Sequence, residues 1–347
     1  MNNMTDPQIN ISTSNDDFLK IKKSLRNDCL KTGALLLIYE ILQIWFANLY
    51  YYVAYFFLTK NFSLDFSVIK KYFRSNPSIQ SSTTFSMTKM ISITILCLAI
   101  VFLIAKFLFK LKLGEYLKPC KSAVRTGFTW FTGCYLANML FSLIVSYIVL
   151  MINNSGISVP GSDLSIKSPS LAALIFQFAY TIIVAPIIEE FIYRGIILGV
   201  LSKYSKWGSI IISSLAFGLM HGNIEQAISA FAMGLIYGAV AVKNGSIIPT
   251  IIIHSLNNLF AGFTNFATVM KIPHYETIYS AIVIIISLIG LYVLCTKLKD
   301  LSLRSKISSL STERTAAKNM LLNPMIMLYF AFLIFLMVYT IVMANAK

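Results

Sequence analysis

The chain has 347 residues, of which 57% are hydrophobic and only 12% charged. That ratio cannot cover a water-soluble surface of this size and excludes a soluble globular protein. A mean hydropathy of +0.73 and repeated apolar runs of about 20 residues, each long enough for a hydrocarbon core roughly 30 Å thick, predict an all-α polytopic transmembrane bundle.

In chain order, a polar stretch over 1–33 reads as a mobile cytoplasmic tail with no cleavable signal, since the first apolar run begins only near Gly33. Apolar runs then predict spans near 34–58, 91–109, 127–152, 169–201, 208–222, 225–243, 246–264, 276–296 and 322–345, eight or nine crossings in all. The chain divides into the tail, N-terminal membrane helices and loops (34–168), a core (169–264) and C-terminal membrane helices (265–347). The first span is bulky and aromatic, with Trp45, Tyr50, Tyr51, Tyr52, Tyr55, Phe56 and Phe57, and is expected at the lipid-facing periphery.

The net charge of +15 sits mostly between the apolar runs. That distribution orients helices by the positive-inside rule and argues against a nucleic-acid partner. The expected cytoplasmic loops are 110–126, 202–207, 243–245 and 297–321, whereas the loop at 153–168 carries only Lys167. Segment 59–90 disagrees, because it is expected outside yet contains Lys60, Lys70, Lys71, Arg74 and Lys89. Cys29, Cys97, Cys120, Cys134 and Cys295 form no CxxC pair and read as small apolar fillers.

The core holds nine of the sixteen glycines, with GxxxG pairs at Gly195/Gly199, Gly218/Gly222 and Gly234/Gly238. Small residues four apart let membrane helices approach closely, so a tightly packed central bundle is expected. Ionisable groups inside a bilayer cost on the order of 3 kcal/mol each, so each needs a reason. The core contains Glu189, Glu190 and Arg194 on one span, His221 at the end of the next, and His254 with Asn258 on another.

Helical spacing sorts these groups. Glu190 and Arg194, four apart, share a face and can pair, which leaves Glu189 without a partner on its own helix and suited to act as a general base on water. His254 and Asn258 also share a face, and Phe217 lies one turn before His221. Pro186 is expected to kink its helix and open local room. At 1.5 Å per residue, Glu189, His221 and His254 come out roughly 12 to 20 Å from the cytoplasmic helix ends, at similar depths. Each residue also has a plainer reading: Glu190 and Arg194 as structural glue, His221 as an interfacial cap, and His254 with Asn258 as a helix-to-helix hydrogen-bond pair. His274, beside Pro273, reads as loop surface.

The three motifs, Glu189-Glu190 with Arg194, Phe217 with His221, and His254 with Asn258, resemble the EExxxR, FxxxH and HxxxN pattern of the CAAX protease and bacteriocin-processing (CPBP, also called Abi) intramembrane proteases. The resemblance covers about 169–264. It implies a multi-pass cell-membrane endopeptidase acting on a peptide or lipidated peptide, either a prenylated CAAX-type protein or a leader peptide, reached from the cytoplasmic side. By that resemblance Glu189 activates water, His221 assists, His254 and Asn258 form the oxyanion site, and Glu190 with Arg194 hold the helix. No cofactor is expected. The alternative is zinc at Glu189, His221 and His254, since two histidines and a glutamate are also a catalytic zinc ligand set, but the chain has no HExxH and its histidines lie on different helices. Other readings are a non-catalytic bacteriocin-immunity protein and a proton-relay transporter, the latter without the inverted repeat such a fold calls for.

Overall fold

A computed structural model describes residues 15–110, 117–118, 122–161, 171–301 and 310–346. Cys120, Lys167 and residues 1–14 of the expected tail lie outside them. The described residues contain helices and no strand. We number the helices α1 (Asn15–Thr59), α2 (Phe66–Ser75), α3 (Pro77–Ser81), α4 (Thr83–Phe109), α5 (Ala123–Asn154), α6 (171–201), α7 (Lys206–Leu219), α8 (Ile224–Asn244), α9 (Ile248–Val269), α10 (Tyr275–Lys297), α11 (Leu310–Leu321) and α12 (Pro324–Asn345). Among the described residues seven helical segments are long and apolar enough to cross a membrane, which makes this a multi-pass membrane protein. The other two expected spans are also helices. α7 has only 14 residues, and α9 has 22 but carries His254, Asn257 and Asn258.

The chain forms two compact units. The smaller comprises Leu35–Leu111 and Leu164–Tyr180. In it, the basic stretch that disagreed with the topology folds as a strongly amphipathic helix. α2 buries Ile69 and Phe73 four residues apart and leaves Lys70, Lys71 and Arg74 exposed. The apolar side packs with Phe85 against Tyr50, Tyr51, Tyr52 and Tyr55 of α1. Asp65 caps α2 by accepting from Ser67 N at 2.8 Å, and those hydrogen bonds hold its carboxyl below the usual range. An amphipathic helix of this kind lies along an interface, so its lysines do not report loop sidedness as those of a plain loop would.

The larger unit comprises Met1–Ala34, Lys112–Asp163 and Thr181–Lys347. The expectation of a mobile tail fails over 15–33, which is helical. Leu25, Cys29 and Thr32, at helical spacing, are buried, and Gly33 meets the α12 backbone so closely that a Cβ there would lie 2.7 Å from the Met325 carbonyl carbon. The polar composition concealed this one-sided stripe. Asp28 ties the same segment to the α6–α7 turn, accepting from Lys203 Nζ at 2.7 Å and Tyr204 Oη at 2.8 Å. Burial lowers the Lys203 pKa, but the bond and charge of Asp28 together with Tyr204 outweigh it and hold the ammonium above the usual lysine range.

In this unit α5 packs along α8, α9 and α10, and α7 packs on α8 and α11. The small residues act as expected at Gly218, where a Cβ would sit 2.4 Å from the Ala227 carbonyl oxygen, and at Gly234, where it would meet Ser214 and Arg194 at 3.0 and 3.1 Å. Gly222 departs from the expectation, since it sits at φ +70° in open space and makes a turn, not a helix contact. Cys29, Cys97 and Cys134 are buried thiols and Cys295 is exposed.

Candidate active site

α6 is not a regular helix. The α-helical segments Leu171–Ala179, Ala185–Glu190 and Gly199–Leu201 alternate with π-helical segments Tyr180–Val184 and Phe191–Leu198. Pro186 sits in the first turn of the middle segment. A proline lacks the N–H that would bond the preceding turn, and the widened π turn over Tyr180–Val184 lies just where that bond is missing.

Glu190 and Arg194 pair as expected, with Nη1 to Oε1 at 2.9 Å and both side chains fully buried. Arg194 lies 4.3 Å from the Phe217 ring centre and 5.1 Å from that of Tyr237, and Nη2 reaches the Gly234 carbonyl at 3.5 Å. A guanidinium so enclosed replaces water by a carboxylate, a carbonyl and two ring faces.

His254 links the two acids. Its Nδ1 is 3.1 Å from Glu190 Oε1 and its Nε2 is 3.8 Å from Glu189 Oε2. A carboxylate paired with arginine only accepts, so Nδ1 carries the proton in that bond and Nε2 is turned towards Glu189. His221 is anchored the same way, with Nδ1 2.8 Å from the Phe217 carbonyl oxygen. A carbonyl cannot donate, so Nδ1–H is the donor and Nε2 remains for a reaction partner.

Local sequence places His221. α7 stops at Leu219, Gly222 turns the chain, and Asn223 caps α8 by accepting from Gln226 N at 2.9 Å while donating to the His221 carbonyl at 3.1 Å. Phe217 joins the groups. Its ring stands edge-on to His221 (5.3 Å) and His254 (5.4 Å) and packs on Tyr193 and Tyr237.

A cavity of about 290 Å³ opens beside these groups, and His221, His254, Asn258 and Phe217 are in its wall. Glu189 is not among the lining residues. Its side chain is 18% exposed and meets the site through His254. Asn258 spends one amide N–H on the Thr181 carbonyl at 2.9 Å, which leaves the other for a ligand. The lining grades from buried His254 and Asn257 to exposed Ser146 and Ala261, so the cavity opens along the later part of α5 and α9. These helix parts lie away from the ends bearing Lys203, Lys206 and Lys243, so the geometry lends no support to the expected approach from the lysine-rich, cytoplasmic side. His274 is exposed and apart from the site.

Sequence reasoning missed Tyr237 and Asn257. Tyr237 is fully buried, lies 5.5 Å from the His254 ring centre, and accepts from Asn257 Nδ2 at 2.8 Å. Its only signal was a tyrosine set between the paired glycines Gly234 and Gly238, and for Asn257 the doubled asparagine beside the motif. For a metal, Glu189, His221 and His254 do not form one donor set. Among the described residues no group of three or more His, Cys, Asp or Glu is placed to hold an ion.

Comparison with known proteins finds its matches in the part of the chain that carries the three motifs. Residues 171–260 match the family model for Rce1-like type II CAAX prenyl endopeptidases. The chain is 28% identical over 130 residues to the membrane-embedded CAAX protease MroQ of Staphylococcus aureus, covering 35% of this chain and 51% of that protein. It is 34% identical over 79 residues to the putative membrane peptidase YdiL of Bacillus subtilis, covering 22% and 32%. An uncharacterised 24.3 kDa Escherichia coli protein is 25% identical over 122 residues, covering 33% and 56%. The matches thus span about half of MroQ and a third of YdiL. No solved structure matches significantly. The part of the chain that carries the three motifs is thus similar to proteins described as CAAX proteases, the family its sequence resembles.

Proposed function

We propose that the protein is an intramembrane endopeptidase that hydrolyses a peptide bond of a membrane-associated substrate without a metal. Glu189 takes a proton from water as its oxygen attacks the scissile carbonyl, and His221, through Nε2, holds the same water. The carbonyl electron pair moves to oxygen, where His254 Nε2–H and the free Asn258 amide N–H receive the negative charge. Collapse of that intermediate breaks the C–N bond, and the proton held by Glu189 passes to the departing amine.

The observation that carries this reading is the position of His254 between the two carboxylates, with Nδ1 on Glu190 and Nε2 3.8 Å from Glu189. In this role His254 donates from both ring nitrogens, Nδ1 to Glu190 and Nε2 to the oxyanion. Glu190 and Arg194 act as positioning residues. A zinc version would need Glu189, His221 and His254 as one ligand set, and it would leave water activation without a separate base.

Likeness to proteins described as CAAX proteases supports a prenylated peptide delivered at the membrane as the substrate, with a leader-type peptide as the alternative. The test compares the membrane peptides of cells carrying the wild type with those carrying Glu189→Gln, by mass spectrometry. The proposal expects a precursor that accumulates uncut in the variant. Identical peptide profiles with equal protein levels would overturn it.

A further inference from the structure

The cavity wall has a second set of polar groups that the hydrolytic roles do not use. On α5, Asn138, Ser142 and Ser146 follow one another at four-residue intervals, a polar stripe on one face of a helix otherwise fit for lipid. In the same wall α8 contributes Ser229, whose Oγ is hydrogen-bonded to Ser142 Oγ at 3.2 Å, and, one helical turn before it, the carboxylate of Glu225.

Glu225 is half-buried, lines the cavity, and has no ion-pair partner among the described residues. No Lys or Arg is in the lining. A carboxylate in the first turn of α8 gains a little from the helix dipole, but that role requires neither a place in the cavity wall nor a missing counter-ion. Hydroxyl and amide groups in a row along a membrane helix have the spacing to hydrogen-bond an extended peptide backbone, which cannot leave its own polar groups unpaired in lipid.

Resting on the protease reading, we propose that this second set is the substrate-binding track. Asn138, Ser142 and Ser146 hold the backbone of an extended peptide, and Glu225 binds a cationic side chain, lysine or arginine, that flanks the scissile bond. The enzyme so built prefers basic substrate segments over neutral or acidic ones.

The test uses the purified full chain in lipid nanodiscs and three mixed-sequence libraries of 12-residue peptides whose central residue is fixed as Lys, Gln or Glu. Cleavage is read by mass spectrometry, and binding by retention on the Glu189→Gln protein. Wild type is expected to cut the Lys library at least about tenfold faster than the Glu library, the scale of one charge-assisted contact. Glu225→Gln should flatten the order, and Glu225→Lys should reverse it, with thermal unfolding showing that both variants fold. Cleavage with no preference for the fixed residue sinks the subsite and leaves the protease reading standing. If no library is cut, Glu225-dependent retention of the Lys library supports the subsite while the protease reading falls. Equal retention of all three libraries overturns the subsite.

Discussion

Glu190 Oε1 is shared by two cations or donors of the core: it takes Arg194 Nη1 at 2.9 Å and His254 Nδ1 at 3.1 Å, with the carboxylate fully buried. One oxygen thus fixes the arginine and orients the histidine ring through its Nδ1. Glu190 is therefore expected to be less replaceable than its supporting role suggests.

Replacing Glu190 by Gln keeps the shape but leaves Arg194 buried without a counter-charge. Loss of one partner of a buried pair costs about 3–5 kcal/mol. The expected outcome is a large drop in unfolding temperature in detergent together with loss of activity. An unchanged melting curve would mean that the arginine has another carboxylate within reach.

Phe217 carries the ring contacts of Arg194, His221, His254 and Tyr237. Truncation to Ala should cost about 3–5 kcal/mol, while Leu, which keeps most of the volume, should cost clearly less. Activity should fall in both variants, because the edges that orient the imidazoles are gone. Thermal unfolding and peptide cleavage measured on the same preparations check the split between stability and chemistry.

Gly218→Ala places a methyl 2.4 Å from the Ala227 carbonyl oxygen. Overpacking of this kind costs about 1–3 kcal/mol and should push α7 from α8, displacing His221. Gly161→Ala is the control, since its Cβ would have only an ordinary 3.6 Å contact with Glu225. Equal melting temperatures for the two variants would contradict the close packing of α7 on α8.

Chelation separates the metal-free chemistry from its zinc alternative. Activity is expected to persist after phenanthroline treatment and dialysis, with less than one zinc per chain by elemental analysis. Activity lost on chelation and restored by zinc would reverse the assignment.

The spans were legible because apolar runs of about 20 residues have few alternatives in a chain this poor in charge. The site was legible for the same reason: Glu190 with Arg194, and Phe217 with His221, meet at their helical spacings. What stayed hidden depended on tertiary contact. The bond from His254 to Glu190 joins residues 64 positions apart, and Tyr237 becomes part of the site only because α8 packs close at Gly234. Residues 15–33 read as a tail because their polar composition outweighs the buried stripe of Leu25, Cys29 and Thr32. The π segments of α6 have Pro186 as their one sequence signal, and a proline alone does not say how a helix will absorb the missing bond.

The most direct measurement adds purified protein, in ¹⁸O-labelled water, to membranes from cells that lack it, and follows new peptide C-termini by mass spectrometry. The account predicts termini carrying one ¹⁸O with the wild-type chain and none with Glu189→Gln of equal stability. Labelled termini appearing equally with both proteins would contradict the role of Glu189 as the base that activates water.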